Sequence, residues 1–147
     1  MTDLWPDDIT HVEIKAPVAL LREQAAMLGR KTRNVVTAEV RQADPVRVAS
    51  LNYSAFSYSF SLVAPSLGGY TYRLFDITHG VAMYPVRVIP DDAIGKELGL
   101  KDTFVGLQAR GFTANTEADF LELLATIFRS AKTRHVIQAM IAQSAEA

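Results

Sequence analysis

Hydrophobic positions change period several times along the chain, and each change marks an element. Val18, Leu21, Ala25 and Leu28 recur at spacings of three and four, the stripe of an amphipathic helix. Pro17 suits the first helical position, because its missing N–H would have no intrahelical partner there. The spacing predicts a helix over 17–28 stopped at Gly29, with Arg30, Lys31 and Arg33 beyond it, where positive charge offsets the helix dipole. The period then becomes two. Val36, Ala38 and Val40 alternate with Thr37, Glu39 and Arg41, which reads as a strand, and Ala43-Asp44-Pro45 supplies turn chemistry.

The clearest alternation sets Phe56, Tyr58, Phe60 and Leu62 against Ser57, Ser59 and Ser61. A loop over 64–69 leads to strands over 70–78 and 81–89, joined at His79-Gly80. Pro90-Asp91-Asp92-Ala93 reads as a short helix start, and 103–109 as a fifth strand. Thr116-Glu117-Ala118-Asp119 has the spacing of a capping box. Two apolar stripes follow: Phe120, Leu124, Ile127 and Phe128, then Ile137, Met140 and Ile141, with a break expected at 130–132, where either Ser130 or Thr133 suits the cap of a new helix. Successive strands with short connections and helices at both ends imply an α+β fold. The expected architecture is a four- to five-stranded antiparallel meander sheet, with an N-terminal helix and two C-terminal helices packed mainly on one face.

Hairpin register sharpens this picture. A two-residue loop at His79-Gly80 pairs Phe75 with Tyr84 and Arg73 with Val86, and a six-residue loop at 64–69 pairs Phe60 with Arg73 and Tyr58 with Phe75. The aromatic side then joins Phe75, Ile77, Ala82, Tyr84, Val86 and Val88 in the core, and a slip of one residue would turn every ring away. The other face collects the three serines with Tyr70, Tyr72, Leu74, Asp76, Met83, Pro85, Arg87 and Ile89. It carries no lysine, and aromatic, Met and Arg content of this kind is typical of interfaces; the alternative is cover from the same chain, by the second terminal helix or the segment 43–53.

Composition narrows the classes. The chain has 147 residues, 49% of them hydrophobic and 21% charged, with no cysteine and a net charge of -1. These values fit a folded domain and exclude disulfide scaffolds, thiolate metal sites and any cysteine nucleophile. Near-neutral charge gives no bulk attraction to nucleic acid or anionic lipid. The acidic opening Met1-Thr2-Asp3-Leu4-Trp5-Pro6-Asp7-Asp8 lacks the apolar run of a signal peptide, and no stretch reaches the ~20 apolar residues of a membrane span. One cytoplasmic domain over 1–147 is expected, comprising an extended segment 1–15 and a helical region 117–145.

Candidate chemistry is sparse. Arg73, placed by register among core side chains, needs a carboxylate, a bound anion or an exit to solvent. The row Ser61, Tyr72 and Arg87 suits a carboxylate or phosphate, and Tyr70 and Met83 complete the candidate binding set. Asp76 and His79 do not form a catalytic or metal set with His11 or His135, which lie in unrelated segments. Gly68-Gly69 lacks the spacing of a phosphate loop. Arg30, Lys31 and Arg33, and then Arg129, Lys132, Arg134 and His135, form two basic clusters, both near expected helix ends where the dipole accounts for them. No cofactor and no catalytic residue is assigned. The leading expectation is a non-catalytic interaction protein that uses the aromatic–serine face for self-association or a protein partner. The alternatives are an anionic-ligand protein or enzyme with a pocket near Arg73, and a nucleic-acid accessory protein.

Overall fold

The computed structural model describes residues 1–43, 56–100, 104–105, 108–109 and 111–147. Helix α1 spans Pro17–Lys31, with Gly29 inside its last turn. It ends instead at Thr32, whose Oγ1 bonds the Leu28 and Val36 carbonyls, followed by Arg33 and Asn34 at φ of 54° and 63°. Two successive left-handed residues turn the chain back along the helix, and a polar cap replaces the expected glycine stop.

Strands β1 (Thr37–Gln42), β2 (Phe56–Ala64), β3 (Tyr70–His79), β4 (Val86–Pro90) and β7 (Phe112–Ala114) form one sheet in the order β1-β2-β3-β4-β7. Every pairing in it is antiparallel. β5 (Phe104–Val105) and β6 (Gln108–Ala109) pair only with each other, so the fifth strand of the main sheet comes after the segment expected to supply it. Helix α2 covers Asp92–Glu97, α3 Glu117–Phe128 and α4 Ala131–Ser144. Thr116 caps α3 and Ser130 caps α4 through their side-chain oxygens, at the two starts the sequence marks. The fold is α+β, as the sequence implies. The turn expected at Asp44-Pro45 lies outside the described residues.

Both hairpins differ from expectation. Six residues, 80–85, separate β3 from β4, so Phe75 faces Pro90 and Ile77 faces Val88. Pro85 has no N–H to give a ladder, and Met83 stands at φ 75°, so the strand cannot begin before Val86. The shift is six residues. Being even, it leaves Val86 and Val88 on the core face while Ala82 and Tyr84 leave the sheet. Tyr84 packs edge-on against Phe120 instead, with ring centroids 6.4 Å apart.

The β2–β3 turn is the more consequential correction. It has five residues: a single 3-10 turn over Pro65–Leu67, then Gly68 and Gly69, both at positive φ. Glycine is the residue that adopts two such conformations in succession at little steric cost. An odd loop moves Tyr70 and Tyr72 to the side of Ala64 and Leu62. A β-bulge then shifts the register between Phe60 and Ser61, so Phe60 faces Phe75 while Ser61 faces Arg73, with Leu74 as the extra residue. Arg73 therefore points away from the core face, and the tyrosines point toward it.

The core lies between this face and the helices. Phe60 and Phe75 stack at 5.2 Å, and Phe128 of α3 closes on both at 5.2 and 6.0 Å. Leu20 and Leu21 of α1, Phe120, Leu124 and Ile127 of α3, and Val136 and Met140 of α4 join the same buried cluster. Gly111 brings β7 against β4 so closely that an added Cβ would meet the Val88 carbonyl oxygen at 2.5 Å. Gly111→Ala is expected to cost about 1–3 kcal/mol, because the obstruction is backbone, and a lowered urea midpoint with unchanged slope would show it.

Candidate functional site

The sheet face away from the helices holds a polar cluster. Positions three apart in a regular strand face opposite sides, but the bulge puts Arg73 beside Asp76. Arg73 Nη1 lies 3.4 Å from Asp76 Oδ2 and 3.4 Å from the Ile89 carbonyl oxygen. Ser59 Oγ donates to Asp76 Oδ1, and Ser57 Oγ donates to Thr78 Oγ1 at 3.1 Å. Ser59, Asp76 and Thr78 are buried within one chain. The carboxylate thus answers the charge of Arg73, which removes the reason for a pocket anchored by that residue. Asp76→Ala is expected to cost about 2–3 kcal/mol in chemical denaturation, and Arg73→Lys, which keeps the charge, less than half of that.

The opposite side has the open feature. A cleft of about 440 Å³ runs between the start of β3 and helix α4, lined by Leu67, Tyr70, Tyr72, Lys132, His135, Val136, Ala139, Met140 and Gln143. Tyr70 is half exposed along its wall. Lys132 Nζ sits 5.8 Å above the Tyr72 ring, a cation–π contact that holds the ammonium at the mouth. Tyr72 Oη donates to Asp91 Oδ2 at 2.9 Å, and the same oxygen accepts from Ala93 N at 3.2 Å. Burial first, and then this hydrogen bond to a carboxylate, push the Tyr72 hydroxyl up to about 12.

Helix α2 ties the two walls together. Asp91 at its start holds Tyr72, and Glu97 at its end accepts from Ala131 N at 2.7 Å and Lys132 N at 3.0 Å. A carboxylate from another element thereby satisfies two of the free N–H groups at the start of α4. The first turn of α4 has no acidic residue of its own, and Lys132 and Arg134 fall in it, with His135 next. Positive side chains at a positive helix end gain nothing from the dipole. Lys132 and Arg134 are therefore not explained by helix chemistry as expected, whereas Arg129, at the end of α3, and Arg30 and Lys31, in the last turn of α1, are.

The candidate residues from sequence divide into three groups. Tyr70 and Tyr72 enter the cleft, Ser61, Arg73 and Arg87 lie on the opposite face, and Met83 stands in the 80–85 loop. The expected row of Ser61, Tyr72 and Arg87 does not form, because the odd hairpin loop puts Tyr72 on the other side of the sheet. Lys132, His135, Val136, Met140 and Gln143 were not among the sequence candidates. The apolar stripe expected on this helix was Ile137, Met140 and Ile141, whereas Val136 and Met140 are the buried positions and Ile141 is exposed, and the strand end that the helix faces was not visible in the sequence. Comparison of the chain with family models, curated proteins and solved structures finds no match. Among the described residues, no three His, Cys, Asp or Glu side chains are grouped to hold a metal ion, and no helix is long and apolar enough to cross a membrane.

The raised Tyr72 value makes a signed prediction. Below pH 10 its contribution is complete; between 10 and about 12 the unfolded chain loses the proton that the folded chain keeps, so stability falls as pH rises. Ultraviolet difference absorbance should show Tyr72 ionising late together with Tyr84, which burial also raises, and Tyr72→Phe should shrink that late step.

Proposed function

We propose that this chain is a non-catalytic interaction module whose cleft between β3 and α4 holds an extended acidic and apolar segment of a protein partner. The observation that carries the reading is the joining of two tyrosines and Met140 to the Lys132 ammonium, with His135 beside it on the same helix. Aromatic and Met surfaces supply contact area at interfaces, and cations at the rim steer and orient a negative partner. The half-open shape suits a chain laid along the groove better than a small molecule enclosed in it. A second reading takes the same cleft as a site for a small anion with an aromatic body, since the volume is in the range of small-molecule sites, about 300–1,000 Å³.

Amide NMR of the labelled full chain, titrated with a short acidic peptide carrying Leu and Trp, tests the proposal. Shifts should concentrate on α4 and the start of β3, weaken as salt is added, and fall about tenfold in affinity for Lys132→Glu. A basic peptide of equal apolar content should bind poorly. Equal response to both peptides, or no response in the cleft, overturns the reading. Saturation by benzoate alone at the same resonances would favour the small-anion reading.

A further inference from the structure

We infer that the segment held in the cleft is the N-terminal arm, residues 1–15, of a second copy of this chain. The inference rests on the docking role just proposed and names its occupant. Every residue from 1 to 15 is exposed, and the arm carries Leu4, Trp5, Ile9, Val12 and Ile14 at exposures of 57–89%. Trp5 is the one tryptophan in the protein. Large apolar side chains grouped on one segment and left in water mark a surface that another surface covers.

Charge narrows the choice of surface, and the apolar trough completes it, since Arg30, Lys31 and Arg33 at the end of α1 are as cationic but are not part of the cleft lining. The arm contains Asp3, Asp7, Asp8 and Glu13 against Lys15 alone, a side-chain balance of 1 − 4 = −3 with His11 neutral. The stretch 129–144, whose residues between Lys132 and Gln143 supply one wall of the cleft, contains Arg129, Lys132 and Arg134 and no acidic residue, a balance of +3 of which Lys132 lines the cleft itself. The two segments are equal and opposite, in a chain whose overall charge is only -1. Each also supplies what the other lacks: apolar side chains on the arm, and an apolar trough with tyrosine walls in the cleft.

Topology favours a second copy over the arm's own cleft. Lys15 pairs with Glu23 at 2.9 Å and also feels the Glu117 carboxylate at the start of α3. Glu117 follows β7, whose Ala114 pairs with Val86 beside His79, the end of β3. The cleft lies at the other end, where β3 begins at Tyr70. The arm thus leaves the body about 30 Å, the length of a ten-residue strand, from the cleft of its own chain. Part of its reach is taken up by turns at Pro6–Ile9 and Asp8–His11. Exchange between two copies joins arm to cleft twice, in an isologous pair.

Sedimentation equilibrium and light scattering on the full chain test this directly. The expected result is a concentration-dependent mass approaching twice 16.2 kDa. Leu4→Ser with Trp5→Ser, and separately Lys132→Glu, should each weaken the dimer about tenfold or more. Thermal melting of the isolated arm variant at low concentration should match wild type, because the altered side chains contact no core. Asp7→Lys with Asp8→Lys should restore dimerisation to Lys132→Glu. An arm variant mixed with Lys132→Glu should give heterodimers held by one sound contact, at a mass that neither reaches alone. A wild-type chain that stays monomeric overturns the exchange, as does a dimer indifferent to both arm and Lys132 changes. If the acidic peptide binds such a monomer at the cleft, the docking role survives and only the occupant is wrong. If it does not bind, both readings fall.

Discussion

The bulge at Leu74 is the constraint on which the rest of the molecule turns. A five-residue hairpin loop starts β3 with its tyrosines on the helix side, and left uncorrected that register would carry Phe75 and Ile77 to the outer face. One extra residue reverses the alternation halfway along. The lower half of the strand then contributes Tyr70 and Tyr72 to the helix side, and the upper half contributes Phe75 and Ile77 to the same side. A regular strand of this sequence could present one set or the other, not both. The same reversal brings Arg73 onto Asp76, so the outer face receives an ion pair at the point where the inner face receives its aromatic rings.

This division of one strand separates the packed centre from the open cleft. The Phe60, Phe75 and Phe128 rings form a continuous packed centre, and such clusters tolerate little change in volume. The cleft lies beyond the bulge, where the helix side is lined by tyrosines with polar ends. Tyr72 uses its hydroxyl on Asp91 and its ring face under Lys132, so a single side chain is both wall and anchor. The outer face, by contrast, satisfies its polar groups at short range: Ser59 on Asp76, Ser57 on Thr78, and Arg73 on Asp76. A polar row so matched has less to offer an incoming partner than a cationic rim beside an apolar trough.

Much of the fold was legible in the residues themselves. Alternation marked β2 and β3, capping chemistry marked both Thr116 and Ser130, and helical spacing marked α1, α3 and α4. These are local signals, settled within a turn or two of chain. Register is a different kind of quantity, because one residue more or less in a loop inverts a face without altering the strand's own pattern. The six-residue error at 80–85 was even and left the valines in place. The single-residue difference at 64–69 was odd, and it misplaced the tyrosines and Arg73 together. Half of the cleft was therefore visible as two candidate tyrosines, assigned to the wrong side. The other half, on α4, was masked because a basic run near a helix end has an ordinary explanation when the helix stops there. Here a helix does stop, at Arg129, but Lys132 and Arg134 already lie in the first turn of the next one, where that explanation applies with the opposite sign.

Helix α2 has a mechanical consequence out of proportion to its six residues. Its leading carboxylate grips the Tyr72 wall of the groove and its trailing carboxylate grips the start of α4, so the helix acts as a strut about 9 Å long between two walls. A strut of fixed length sets a gauge. A chain laid between those walls must match the spacing or break one of the two carboxylate grips, and a thicker insertion loads both ends at once. Selectivity in such a groove can come from thickness before any individual side chain is read.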